Sequence, residues 1–126
     1  MRPADPGVVG DLERILSSDR VLSRPIDRLG RSADASIYRL VPEAIVRPRD
    51  VSEVRDLFAW ARRRGRHMTF RAAGTSLSGQ AVSDDVLVEI GPFFRGARVL
   101  EDGARIWAQP GVVGGHLNRL LAAHRT

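Results

Sequence analysis

Residues 70–81 read FRAAGTSLSGQA, and in this run Gly74 and Gly79 bracket three small hydroxyl side chains, Thr75, Ser76 and Ser78. Glycine lets the main chain turn through left-handed angles or approach a ligand closely, and the hydroxyls add short donors between the turns. Consecutive backbone N–H groups in such a loop converge on an anion, and a diphosphate is the common guest. The chemistry on offer is binding by the main chain over Arg71, Ala72, Ala73, Gly74, Thr75, Ser76, Leu77, Ser78, Gly79 and Gln80, with Leu77 as an anchor into the core. Two familiar cradles are excluded. A Walker A loop needs Lys and then Ser or Thr after its second glycine, where this chain has Gln80 and Ala81. The Rossmann spacing needs a glycine two residues before Gly74, where Ala72 stands. The bland alternative is a flexible surface loop, because Gly and Ser gather in loops generally.

No other side chains form a reactive set. His67 opens a strand and His116 a helix, places where histidine is structural or solvated more often than a base or ligand. Asp84 and Asp85 follow the cradle as turn residues rather than metal ligands. Trp60 and Trp107 read as packing groups. Arg71 has two readings, a charge on the diphosphate or a member of an ion pair. No catalytic and no metal-ligating residue is assigned. With no cysteine in the chain, thiolate metal sites, disulfides and cysteine nucleophiles are excluded together, so any redox chemistry must come from a cofactor.

The elements around the loop follow from periodicity. Val9, Leu12, Ile15 and Leu16 have helical spacing, and residues 21–42 read as irregular lead-in and loop. Ala44–Val46 is a short buried strand stopped by Pro48. Asp50 caps the next helix, with Glu53 completing a capping box, Val51, Val54, Leu57, Phe58 and Ala61 on the core face, and Gly65 at its end. Arg62, Arg63, Arg64 and Arg66 fall where cations complement the helix dipole. Met68, Phe70 and Ala72 then alternate as the buried side of a strand, so the glycine loop sits at a strand's carboxyl end, where open α/β sheets bind ligands. Val86–Ile90 is a further buried strand, and a two-residue turn at Asp102 and Gly103 joins a β-hairpin. Val113, Leu117, Leu120 and Leu121 place a last helix.

At 126 residues and 43% hydrophobic content the chain can bury one modest core. No stretch approaches the roughly 18 apolar residues of a membrane span, and the start has no long apolar core of a signal peptide, so a cytoplasmic chain is expected. All 20 basic residues are Arg and the net charge is +5, a composition that suggests coding bias more than a nucleic-acid code.

Four segments, AIVRPRDVSEV, MTFRAAGTSLSGQAV, VLVEI and AQPGVVGGHLNRLLAAH, resemble the FAD-binding domain of FAD-linked oxidases of the vanillyl-alcohol oxidase and p-cresol methylhydroxylase type. Within it they are most similar to the D-lactate and glycolate dehydrogenase branch. The resemblance runs from about Ala33 to the end. It implies an α/β (α+β) fold: the N-terminal subdomain of a p-cresol methylhydroxylase-type FAD-binding domain, a short mixed sheet with flanking helices and a β-hairpin. Residues 1–32 would then be lead-in and 33–126 a truncated flavin domain. It implies FAD as cofactor, its pyrophosphate on the Arg71–Gln80 loop, and a flavoprotein oxidoreductase that oxidises a 2-hydroxy acid such as D-lactate or glycolate. A second FAD-contacting subdomain and a substrate cap would be missing, so the chain alone is expected to be inactive. Two rival readings remain: a small Arg-rich nucleic-acid-binding protein, and a fragment that oligomerises through exposed apolar faces.

Overall fold

The computed structural model describes residues 1–124, so the last two residues of the expected 33–126 unit lie outside it. Its elements are helix α1 (Pro6–Ile15), strand β1 (Val21–Leu22), helix α2 (Pro25–Gly30), strand β2 (Ala44–Val46), helix α3 (Val51–Arg64), strand β3 (Met68–Arg71), strand β4 (Val86–Glu89), strands β5 (Ala97–Leu100) and β6 (Arg105–Ala108), and helix α4 (Gly114–Ala122). The first four strands form one mixed sheet in the order β1-β2-β4-β3. β2, β4 and β3 run parallel, and β1 is antiparallel to β2. The fold is the expected mixed α/β arrangement.

Side-chain chemistry explains the order. A strand buried on both faces reads as a continuous apolar run, and Val86, Leu87 and Val88 of β4 are all fully buried at the centre. β3 carries Thr69 and Arg71 and takes the edge. Its pattern led to an expectation that Phe70 faces the core, but an edge strand has one less neighbour to cover it. Phe70 is exposed and stacks on the still more exposed Phe58 of α3, ring centroids 5.7 Å apart. The apolar face of α3 is rotated accordingly: Leu57, Trp60 and Ala61 are buried, while Val51 and Phe58 are not. Against Leu57, Trp60 and Ala61 pack Val8, Leu12 and Leu16 from α1 and its end, with Val46, Val86 and Val88 from the sheet.

The ends of α3 match their sequence. Asp50 accepts the amide of Glu53 at 3.0 Å, and Gly65 closes the helix at φ +61°. Arg64 in the last turn bonds Asp11 of α1, which also accepts the Trp60 indole N–H at 3.1 Å. β1 and α2 lie in the segment expected to be irregular. Neither has apolar periodicity of its own: β1 is two residues paired to β2, and α2 is six residues begun by Pro25. Buried Arg28 of α2 fixes the lead-in by donating to the Pro42 and Arg2 carbonyls at 2.6 and 2.9 Å. The hairpin is also longer-looped than expected. Leu100 pairs with Arg105, so four residues connect β5 and β6, with Glu101, Asp102 and Gly103 all at positive φ.

Candidate anion-binding loop

Because β2, β4 and β3 are parallel, their carboxyl ends share one edge, and residues 72–80 leave β3 at that edge without entering a helix. Gly74 and Gly79 give the segment its shape at φ +69° and +76°, angles that L side chains rarely adopt. At each, a Cβ would meet a neighbouring side chain that must then shift. A Cβ on Gly74 would lie 2.2 Å from the Arg71 guanidinium, and one on Gly79 would lie 2.6 Å from the Tyr38 ring.

The hydroxyls divide into two roles. Ser76 Oγ is turned inward: it accepts the amides of Ser78 and Gln80 at 3.2 and 3.1 Å and donates to Gln80 Oε1 at 2.7 Å, drawing the distal half of the loop into a tight turn. Thr75 and Ser78 are exposed. Among the described residues, the backbone N–H groups of Ala73, Gly74, Thr75, Ser76, Leu77 and Gly79 have no protein acceptor. Leu77 does not anchor the loop; it is 80% exposed at the crest. The burial expected of it falls on the exit, where Ala81, Val82 and Ser83 enter the core.

Among the described residues Arg71 forms no ion pair. Its Nη1 donates to three main-chain carbonyls, Ala33 at 2.9 Å and Arg31 and Ala81 at 3.3 Å. Beside it Asp34 accepts the Ser36 amide and hydroxyl and, through Oδ2, the Ala81 amide at 3.3 Å. The Ser36 hydroxyl, ahead of the two amides, holds the Asp34 carboxyl below its ordinary range. Reasoning from sequence missed Asp34 and Tyr38; the one available signal was Asp-x-Ser at 34–36, the pattern of a side chain closing its own turn. Beside Gly79 a hollow of about 290 Å³ is lined by Tyr38, Arg39, Leu40, Ser78 and Val82.

The remaining candidates lie apart from the loop. Asp85 binds Arg66 Nε at 2.8 Å and the His67 amide at 2.7 Å, a turn clamp at the opposite ends of the strands. His116 lies on α4. Trp107 is exposed beneath the Arg98 guanidinium, 5.0 Å from its ring. Among the described residues no three His, Cys, Asp or Glu side chains converge on a metal-sized site, and no helix is long and apolar enough to cross a membrane.

A row of unpaired amides, two glycines at left-handed angles, and no acidic side chain in the loop suit a diphosphate, which is acceptor-only and dianionic. Parallel strands ending in such a cradle define an α/β nucleotide-binding module. The chain belongs to the FAD binding domain family, whose pattern it matches over residues 42–126; its cofactor is FAD. The D-2-hydroxyglutarate dehydrogenase of Escherichia coli is 34% identical over 101 residues, covering 75% of this chain and 10% of that protein. That of Haemophilus influenzae is 28% identical over 102 residues, covering 78% and 10%. The chain thus spans about a tenth of the length of the curated relatives it matches. Among solved structures, an alkyldihydroxyacetonephosphate synthase superposes with a TM-score of 0.79 at 18% identity, over 98% of this chain and 26% of that one. A substrate-bound p-cresol methylhydroxylase gives 0.76 at 13%, over 93% and 24%. At these identities the two structures attest the fold.

Proposed function

We propose that this chain is the diphosphate-gripping portion of a flavin-dependent oxidoreductase acting on a 2-hydroxy acid. The observation that carries the reading is the set of amides without acceptors, Ala73 to Leu77 and Gly79, at the carboxyl edge of parallel strands in a chain of the FAD binding family. These amides, with the exposed Thr75 and Ser78 hydroxyls, hold the FAD diphosphate, and Gly74 and Gly79 supply the left-handed turns that shape the loop. FAD supplies, when bound, a two-electron acceptor for the alcohol carbon. The chain's own residues contribute grip and orientation. The substrate class is supported by the relatives named D-2-hydroxyglutarate dehydrogenase; D-lactate and glycolate belong to the same chemical class.

The test is a fluorescence titration of the purified chain with FAD, repeated with the remainder of a full-length relative supplied in trans. Saturable binding that ADP competes away and riboflavin, which lacks the diphosphate, does not is the expected result. Riboflavin binding as tightly as FAD, or no saturable FAD binding in either arm, overturns the reading.

A further inference from the structure

The position of the Arg71 guanidinium is hard to reconcile with a phosphate ligand. It lies behind the loop, so close that a Cβ on Gly74 would displace it, and its Nη1 is occupied by three carbonyls of the protein itself. Two of those carbonyls, Arg31 and Ala33, belong to the segment that leads to Asp34; the third, Ala81, is the loop's exit. Asp34 takes the amide of that same Ala81. The exit residue is therefore held at both its C=O and its N–H by two oppositely charged side chains. The entrance is fixed as well: Arg71 is the last residue of β3, its carbonyl accepts the Ile90 amide at 2.9 Å, and Gly91 stands so close to the Ala72 carbonyl that a Cβ there would lie 3.2 Å away. Among the described residues Arg71 forms no ion pair.

We infer that Arg71 and Asp34 are positioning residues, a clamp that sets the distance between the two ends of the 72–80 loop and holds its amides in a diphosphate-ready arrangement before any ligand arrives. The inference rests on the diphosphate reading and assigns these side chains a role without contact to the ligand. Binding to a preformed loop avoids the entropy of ordering it, and the rigid planar fork of arginine carries one nitrogen, Nη1, to all three carbonyls, where the lysine ammonium is a point charge on a shorter, flexible stem. Charge and fork can therefore be separated by substitution.

Arg71→Lys keeps the charge and loses the fork; Arg71→Met loses both. If the clamp is the role, both variants weaken FAD binding by about tenfold or more, a difference of about 1.4 kcal/mol. In both, the slope of log Kd against log salt stays at the wild-type value, since no charge has been removed from the phosphate. In the unliganded chain, ¹⁵N relaxation at the Gly74 and Gly79 amides should fall from the rigid order parameter of about 0.85 to below about 0.6, with Leu87 and Val88 unmoved. Wild-type affinity in Arg71→Lys, or a shallower salt slope in Arg71→Met, overturns the clamp and makes Arg71 a charge partner of the phosphate. Should the Arg71 variants fail to fold, Asp34→Ala meets the same readouts, and unchanged relaxation at Gly79 in it also overturns the clamp. Absence of FAD binding by the wild type defeats the functional reading instead; the relaxation comparison, which needs no ligand, still decides whether the clamp exists.

Discussion

Two glycines of this chain differ in what a methyl group would do to them. Gly79 has φ +76° and a neighbouring Tyr38 ring 2.6 Å from where Cβ would stand. Gly79→Ala therefore meets both a left-handed angle, at a cost of about 1–2 kcal/mol, and a clash with the ring. It should lower the melting temperature and weaken FAD by about tenfold. Adding Tyr38→Ala removes the clash and leaves the angle, so the double variant should recover part of the loss and no more; full recovery in the fluorescence titration would show that the angle does not matter. Gly10, in the middle of α1 with nothing within 4 Å of a built Cβ, is the contrast. Gly10→Ala should raise stability by about 0.5–1 kcal/mol in urea unfolding, because the unfolded chain loses freedom and the helix loses nothing. The functional glycines were legible in the sequence because residue type alone carries their backbone demand. Asp34, Tyr38 and the Arg31 and Ala33 carbonyls that Arg71 binds were not, because they lie some 40 positions away along the chain and meet the loop only through the fold.

The start of α3 couples a local signal to a long-range one. Asp50 and Glu53 have the spacing of a capping box, and Asp50 behaves as expected. Glu53 instead reaches past the cap to the Arg49 amide at 2.7 Å and takes both arms of Arg20, at 2.5 and 2.8 Å, a residue 6% exposed. Arg20 is the chief reason the Glu53 carboxyl titrates below its ordinary value of 4.5; for Asp50 the chief reason is the Ser52 hydroxyl. Both groups have folded values below their unfolded ones, so the stability they confer is complete above about pH 5 and fades as pH falls through the depressed folded values. The urea midpoint should accordingly be flat from pH 7 to about pH 5 and decline below about pH 4. Glu53→Gln should cost about 3 kcal/mol, the low end for a pair broken on one side because the carboxylate keeps some solvent. It should also flatten part of the acid decline, and an unaltered pH profile in that variant would remove Glu53 from the explanation. At this scale the helix was readable from Asp50 to Gly65. The insertion of β4 between β2 and β3 was not, since adjacency in a parallel sheet is set by which strand can be buried on both faces and no local spacing encodes it.

Across the whole molecule, burial stops abruptly. The core draws on residues from Val8 to Phe94, and no residue from Arg95 to His124 is buried. The hairpin of β5 and β6 and the amphipathic α4 lie beyond that boundary, with Leu100, Trp107 and Val113 among their exposed apolar groups. A two-stranded hairpin is marginal in water without a third strand or a covering helix, and α4 covers it only in part, with Leu117, Leu120 and Leu121 half-buried and no side chain fully buried. What ties this unit to the sheet is a narrow crossing: the Gly111 amide donates to the Phe94 carbonyl at 2.8 Å, and Gly111 sits so near Gly91 that a Cβ would lie 3.0 Å from its Cα. Regions with few buried contacts open locally at free energies well below that of global unfolding. Native-state hydrogen exchange should therefore give two tiers, with Val99 and Ile106 of the hairpin opening at least about 2 kcal/mol more easily than Leu87 and Val88 of β4, roughly a thirtyfold difference in exchange rate. Equal protection in the two sets would mean that hairpin and sheet unfold as one unit through the Gly91–Gly111 crossing. A two-tier result would locate the boundary of independent folding at Phe94, and it would make the exposed face of β5, β6 and α4 the part of the chain whose order depends most on what covers it.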